Sequence, residues 1–156
     1  MIIDLGPISL LGCFTSVLCG GLIGLERQLS GKPAGIRTSI LICLSAYTFV
    51  AIGKFYPTDE GMLRVVGQIV TGVGFLGAGV IISRNGLIKG VTSAAVIWIL
   101  AAIGCLIGLD NYLAALVTSL ITLIVLVGIN MLEKSFFHLK KGVHEEQSSK
   151  DKPYDD

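Results

Sequence analysis

Long uncharged apolar runs alternate with short polar clusters along the whole of this 156-residue chain. A helix crossing the roughly 30 Å hydrocarbon layer needs about 20 apolar residues, at 1.5 Å each. Runs without Asp, Glu, Lys, Arg or His, taken with their immediate flanks, predict spans at about 5–25, 36–53, 64–83, 90–109 and 111–132. The second has the shortest uncharged run, Thr38–Gly53, and takes Ile36 and Arg37 from its flank. Buried helices of a soluble protein explain one or two such runs. Five in succession, with almost no amphipathic helix between them, do not fit a water-soluble core of this size. The pattern predicts an all-α polytopic membrane protein: a bundle of five transmembrane helices over residues 1–133, then a polar tail, 134–156. That tail is expected to start as an interfacial helix through Phe136 and Phe137 and to fray into disorder.

Composition sharpens this reading. Residues are 53% hydrophobic and 15% charged, against about 25% charged in soluble domains, and mean hydropathy is +0.80. An ordinary soluble enzyme, a disordered chain and a collagen-like repeat are excluded. Net charge is +1 with no dense basic patch, which excludes nucleic-acid binding as the main task. Of the twelve Lys and Arg residues, only Lys54 and Arg64 fall on one side of the five-span arrangement; the other ten face the opposite side. The positive-inside rule makes the rich side cytoplasmic, so the amino terminus is expected outside and the carboxyl terminus in the cytoplasm. The first span has no basic leader and no small-x-small cleavage site, and is read as a span rather than a signal peptide. Leu10-Leu11-Gly12-Cys13 resembles a lipoprotein cleavage site but follows Asp4 instead of a positive region. Cys13, Cys19, Cys43 and Cys105 lie inside apolar spans with no CxxC spacing, and read as small packing residues, not as a disulfide or metal set. His138 and His144 form no cluster, so no metal or cofactor is expected.

The punctuation is specific. In the first cytoplasmic loop, Gly31 and Pro33 break the helix, Gly35 permits a tight return, and Thr38 or Ser39 is positioned to cap the next span. The first outer loop, Pro57-Thr58-Asp59-Glu60-Gly61, is a turn cluster offering Thr58 or Asp59 as a cap. Arg84-Asn85-Gly86 reads as an Asn-Gly turn. Asp110 and its neighbours alone separate the last two spans, which predicts a tight antiparallel hairpin.

The third span is rich in glycine. At about 100° per residue, Gly67, Thr71, Gly74 and Ala78 share one face, and Gly72 and Gly79 another. Small residues let helix backbones approach closely in lipid. Packing through Gly67, Gly72, Gly74, Gly77, Ala78 and Gly79 therefore predicts a central helix, with a hinge or broken transporter helix as the other reading. Arg64, Gln68 and Thr71, spaced i, i+4, i+7, form a polar strip on this span. Either Arg64 snorkels to lipid phosphates, or the strip is a site facing the bundle interior. The helix dipole at its amino-terminal end disfavours a cation, so Arg64 calls for an anion: Asp4, Asp59, Glu60, Asp110 or a ligand. Glu26 and Arg27, with Arg37 opposite, form either an ion-pair cluster that fixes the loop or a docking surface. No Asp, Glu, Lys, Arg or His lies in a span core, and P-loop, HExxH and GxSxG patterns are missing. No enzymatic activity is expected. Carboxylate oxygens, which Mg²⁺ favours, are lacking at membrane depth.

Taken in order, several segments resemble the MgtC/SapB family of bacterial membrane proteins. They are Gly20-Gly21-Leu22-Ile23-Gly24-Leu25-Glu26-Arg27; Lys32-Pro33-Ala34-Gly35-Ile36-Arg37-Thr38; Arg64, Gln68 and Gly72 through Ile81; and Gly90-Val91-Thr92-Ser93-Ala94-Ala95-Val96-Ile97-Trp98. The resemblance covers about Leu10 to Leu132. It implies a multi-pass inner-membrane protein linked to growth in low magnesium and, in pathogens, to survival inside host cells. It also implies regulation of other membrane machinery, such as the ATP synthase or magnesium-uptake proteins, rather than magnesium transport. Known members carry a soluble ACT-type domain after the last span. This chain is expected to lack one, so the membrane part acts alone or with a separate partner. The expected partners are the lipid bilayer, other integral membrane proteins and further copies of the chain, with no nucleic acid. A small oligomeric channel or transporter for an ion or small solute, lined by the Arg64–Gln68–Thr71 strip, is the alternative.

Overall fold

The structure is a computed structural model that describes residues 6–55, 61–84 and 87–135. In chain order it contains α1 (Leu10–Leu29), α2 (Ile36–Phe55), α3 (Gly61–Gly79), the strands β1 (Ile82–Arg84) and β2 (Leu87–Lys89), α4 (Val91–Gly108) and α5 (Tyr112–Ser135). Among the described residues, five helices are long and apolar enough to cross a membrane, so the five-span all-α reading holds. The chain divides into two units, Met1–Leu123 and Ile124–Asp156. The first contains α1 to α4 and the opening half of α5. The described part of the second is the remaining helical stretch of α5, and the expected tail segment from Phe136 onward lies outside the described residues.

Element boundaries follow local chemistry. α1 starts at Leu10 and not near residue 5, because Gly6-Pro7 interrupts the chain and Ser9 acts as N-cap, its Oγ accepting from Gly12 N–H at 3.0 Å. At its other end α1 runs through Leu29, four residues beyond the uncharged run. It closes in a Schellman motif, with Gly31 N–H donating to Gln28 O and Lys32 N–H to Arg27 O while Gly31 adopts φ +64°. The predicted helix over 64–83 is Gly61–Gly79 instead. Ile82–Arg84 leave the helix to pair antiparallel with Leu87–Lys89, Arg84 opposite Leu87. The Asn-Gly signal was sound as a turn marker, but its flanks Ile82 and Ile88 favour strand, which makes a small hairpin that the run of apolar residues concealed. Residues 85 and 86 themselves, and the caps expected at Thr58 or Asp59, lie outside the described residues. Gly90 joins the hairpin to α4 at φ +94°, with Val80 O so near that any Cβ would overlap it.

Packing in the first unit centres on α2, with α1 and α4 laid closely along it and α3 more lightly attached. Close approach is made by glycines on the two flanking helices. A Cβ on Gly20 would sit 2.8 Å from Ile40 Cα, and one on Gly24 2.6 Å from Ile36 Cα. On α4, a Cβ on Gly104 would sit 2.3 Å from Cys43 O, and one on Gly108 2.5 Å from Val50 Cβ. Gly12, Ser16, Gly20 and Gly24 recur every fourth residue, and Gly104 and Gly108 form a GxxxG pair. Both are the small-residue spacing that brings helices together without a hydrophobic drive.

The expectation that the third span is central is overturned. Only 17% of the residues in the apolar window of α3 are buried, against 50% in α4. Gly67, Gly72 and Gly79 have nothing within 4 Å of a would-be Cβ, and Ala78 is exposed. Gly74 and Gly77 do meet a neighbour, lying beside Trp98 and, for Gly77, Ala94 of α4. Thus the fully buried residues of α3 are a single strip, Ile69, Val73 and Gly77, and much of the remainder is exposed, Phe75 by 81%. Glycine density counted small residues without asking whether they recur on the face that meets a partner.

Candidate functional site

Between α2 and α3 runs a groove of about 690 Å³. α2 supplies Ile42, Ser45 and Phe49, and α3 supplies Gln68, Ile69, Gly72 and Leu76. The helices converge where Gly53 lets Val65 approach to about 3.1 Å of its would-be Cβ, and Arg64 stands at that end. A second hollow of about 330 Å³ shares Ile42, Ser45 and Leu76 and extends toward Thr38 and Val80. Among the described residues, the first is therefore an open, largely apolar trough with Arg64 and Gln68 near one end and no carboxylate in its lining.

Two of the three residues in the expected polar strip meet here. Arg64 and Gln68 both line the groove, and both are exposed. Thr71 does not: it sits off the lining, and its Oγ donates to Gly67 O at 3.0 Å, a bond to the preceding turn. Ser45, which sequence reasoning did not single out, enters from α2, with its hydroxyl donating to Leu41 O at 2.6 Å. Asp110, one of the anions expected to serve Arg64, instead pairs with Lys54. Asp4, Asp59 and Glu60 lie outside the described residues.

The Glu26-to-Arg37 motif folds into a compact connector. Arg27 is 1% exposed, the largest fully buried side chain among the described residues. Its Nε and Nη2 donate to Glu26 Oε2 and Oε1 at 2.5 and 2.9 Å, and Ser30 Oγ donates to Oε1 at 2.8 Å. Neighbouring helical residues do not normally face each other, so this fork-to-fork pairing shows a side chain drawn back along its own helix. Nη1 of Arg27 and Oγ of Ser39 are buried with no hydrogen-bond partner among the described residues. Ser39 is therefore not the cap of α2. The helix begins at Ile36, whose N–H donates to Gln28 Oε1 at 3.4 Å, and Ser39 N–H already bonds Gly35 O. Gly35 leaves room for Gln28, whose Oε1 would lie 3.1 Å from any Cβ there. Ala34 is buried, whereas Lys32, Pro33 and Arg37 are exposed, and Arg37 stands outside the Glu26–Arg27 pair.

A third polar cluster, unforeseen in the sequence, ties the opposite helix ends. Tyr47 Oη accepts from Ser9 N–H at 2.6 Å and donates to Ser9 O at 3.1 Å. Gly12 makes room for the ring, whose Cζ would lie 2.4 Å from any Cβ there. Tyr112 Oη lies 3.4 Å from Ser9 Oγ and donates to Asp110 Oδ1 at 3.2 Å, while Lys54 holds Oδ2. The hydrogen bond from Lys54 does most to hold the Asp110 carboxyl below the usual carboxylate range; burial opposes it, and the Lys54 charge and Tyr112 add smaller lowering effects. The four cysteines are free thiols. Among the described residues, no three His, Cys, Asp or Glu side chains gather as a metal set.

Residues 13–135 match the MgtC family. "Putative magnesium transporter YhiD" of Escherichia coli K12 is 41% identical over 137 residues, covering 83% of this chain and 62% of that protein. Protein MgtC of Brucella abortus 2308 is 45% identical over 91 residues, 58% of this chain and 38% of that one. Protein MgtC of Salmonella typhimurium 14028s is 38% identical over 114 residues, 73% and 49% respectively. The chain thus spans less than two thirds of the length of these curated relatives. No solved structure matches it.

Proposed function

The chain belongs to the MgtC family of bacterial membrane proteins, and from that premise we propose that it is a regulatory or accessory protein of the inner membrane. Its task is to modulate other integral membrane machinery during adaptation to low magnesium, and it performs no chemical reaction. The amino-terminal end faces outward and the carboxyl-terminal end the cytoplasm, following the ten-to-two distribution of basic residues. The ATP synthase and magnesium-uptake proteins are the partners this reading favours, with self-association as a further state.

The observation that carries the reading is the polarity of the α2–α3 groove. Mg²⁺ dehydrates reluctantly and is held through carboxylate and other oxygens, whereas among the described residues the charged side chain lining this groove is Arg64. Meanwhile the outward Gly67 of α3, with nothing within 4 Å of a would-be Cβ, leaves room for another helix to approach.

The name carried by the Escherichia coli relative favours a second reading, a magnesium carrier or channel. Reconstitution into vesicles holding a magnesium-sensitive dye separates the two. The regulatory reading expects no Mg²⁺ flux under either gradient polarity, together with co-purification of membrane machinery from mild detergent. Flux abolished by Arg64→Ala, or recovery of the chain with itself alone, refutes it.

A further inference from the structure

The α2–α3 groove has a polarity gradient that its role in partner regulation does not explain. Over most of its length it is lined by Ile42, Phe49, Ile69 and Leu76, while Arg64 and Gln68 sit together near one end. From Arg64 to Leu76 is twelve residues of α3, or about 18 Å at 1.5 Å per residue. The hydrocarbon of one leaflet is about 15 Å deep, half of the 30 Å total. The trough therefore has about the length of one leaflet, with its donors gathered at one end. Its volume of about 690 Å³ falls within the roughly 300–1,000 Å³ of built ligand sites. Both donor residues are exposed, so the trough is open from the side, as entry from a bilayer requires.

We propose that this groove is a binding site for one anionic membrane phospholipid, with an acyl chain lying between α2 and α3 and the headgroup phosphate held by Arg64 and Gln68. Charge selects the headgroup: a guanidinium presents five N–H donors in a planar fork suited to phosphate, enough to serve a protein partner and a headgroup together. Gln68, one turn further along the same face, contributes a neutral amide donor. Gly72 keeps the floor of the trough open, since nothing lies within 4 Å of a would-be Cβ there. Gly53, by admitting Val65, closes the end beside Arg64.

The inference stands on groove geometry and does not depend on the regulatory reading, so either can fail alone. The test uses the full chain reconstituted in nanodiscs of equal phosphatidylglycerol and phosphatidylcholine, released into mild detergent and weighed by native mass spectrometry. The expected result is one retained phosphatidylglycerol per chain, favoured at least fivefold over phosphatidylcholine. Arg64→Gln should bring that preference to near unity. Gly72→Leu, which fills the trough without touching the donors, should reduce retention of both lipids at least fivefold. Gly79→Leu, equally open but off the lining, should leave retention unchanged, and circular dichroism of each variant checks that the helices are intact. Equal retention of the two lipids by the unaltered chain overturns the proposal. So does a folded Gly72→Leu chain that keeps its lipid, or one that changes only the oligomeric mass, which would assign the trough to a second copy.

Discussion

Gly104→Ala and Gly72→Ala make the same chemical change in two helices, yet the structure expects opposite outcomes. A Cβ on Gly104 would lie 2.3 Å from Cys43 O, 2.7 Å from Ala46 Cβ and 3.0 Å from Tyr47 N. Ordinary van der Waals contact begins near 3.4 Å, so α4 must retreat from α2 by about 1 Å. A gap of that size forfeits a quarter to a half of the dispersion attraction at every facing atom, and overpacking of this kind costs about 1–3 kcal/mol. Replacing Gly by Ala inside a helix returns about 0.8–1 kcal/mol. Gly104→Ala is therefore expected to destabilise the bundle by roughly 0–2 kcal/mol net. Gly72→Ala, with nothing within 4 Å, keeps only the helix gain. Because that gain is common to both, their difference isolates the overpacking, about 1–3 kcal/mol. Reversible unfolding in mixed dodecylmaltoside and SDS micelles, followed by far-ultraviolet circular dichroism, measures it. Burial of Cys43 offers a second probe, since its thiol should react with a maleimide dye sooner in Gly104→Ala. If the two variants unfold within about 0.5 kcal/mol of each other, the claim that α2 and α4 meet backbone to backbone is wrong.

Three further outcomes follow from the polar clusters. Glu26→Ala strands the buried guanidinium of Arg27 and should cost about 3–5 kcal/mol; Glu26→Leu combined with Arg27→Met should recover most of that in the same micelle titration, and a single variant no worse than the double refutes the buried-pair account. Tyr47→Phe removes the acceptor of Ser9 N–H and the donor to Ser9 O, an expected loss of about 1–3 kcal/mol, with earlier hydrogen exchange at the start of α1. The Lys54–Asp110 pair has a defined pH sign: the Asp110 carboxyl is held below its unfolded value, so its contribution is present at neutral pH and is lost as pH falls through the folded value. Both partners are about half exposed, so the effect is small, up to about 1 kcal/mol. Asp110→Asn should abolish that acid-dependent part, and an unchanged acid profile in Asp110→Asn contradicts it.

Much of the architecture could be read from the chain because hydropathy over 18 or more residues is a strong signal, and five long uncharged runs became five helices. The helix-stop chemistry of Gly31-Pro33 was equally plain, and so was the Asp110 turn. Less visible was anything decided by a neighbour. Charge marks made Leu25 look like the end of the first helix, but mutual neutralisation of Glu26 and Arg27 lets the helix continue to Leu29 and buries the arginine. The groove was half legible: Arg64 and Gln68 share a helix face that sequence spacing shows, whereas Ser45 arrives from another helix and Thr71 faces elsewhere. The central helix was missed altogether. α2 has a single glycine, Gly53; it is central because Gly12, Gly20, Gly24, Gly104 and Gly108 on other helices make room for its bulk. Searching for recurrence at every fourth position in all five spans would have found those glycines.

That arrangement has a consequence for how the protein is made. The side of α2 that receives Gly104 and Gly108 stays vacant until α4 leaves the ribosome, with all of α3 synthesised in between. At about 5–20 residues per second, the stretch from Phe55 to Gly108 takes roughly 3–10 s. Throughout that interval Cys43, Ala46 and Val50 face lipid or the insertion machinery. A chain halted after the hairpin would carry three threaded helices and no completed core, which makes arrival of the fourth the committing event of assembly.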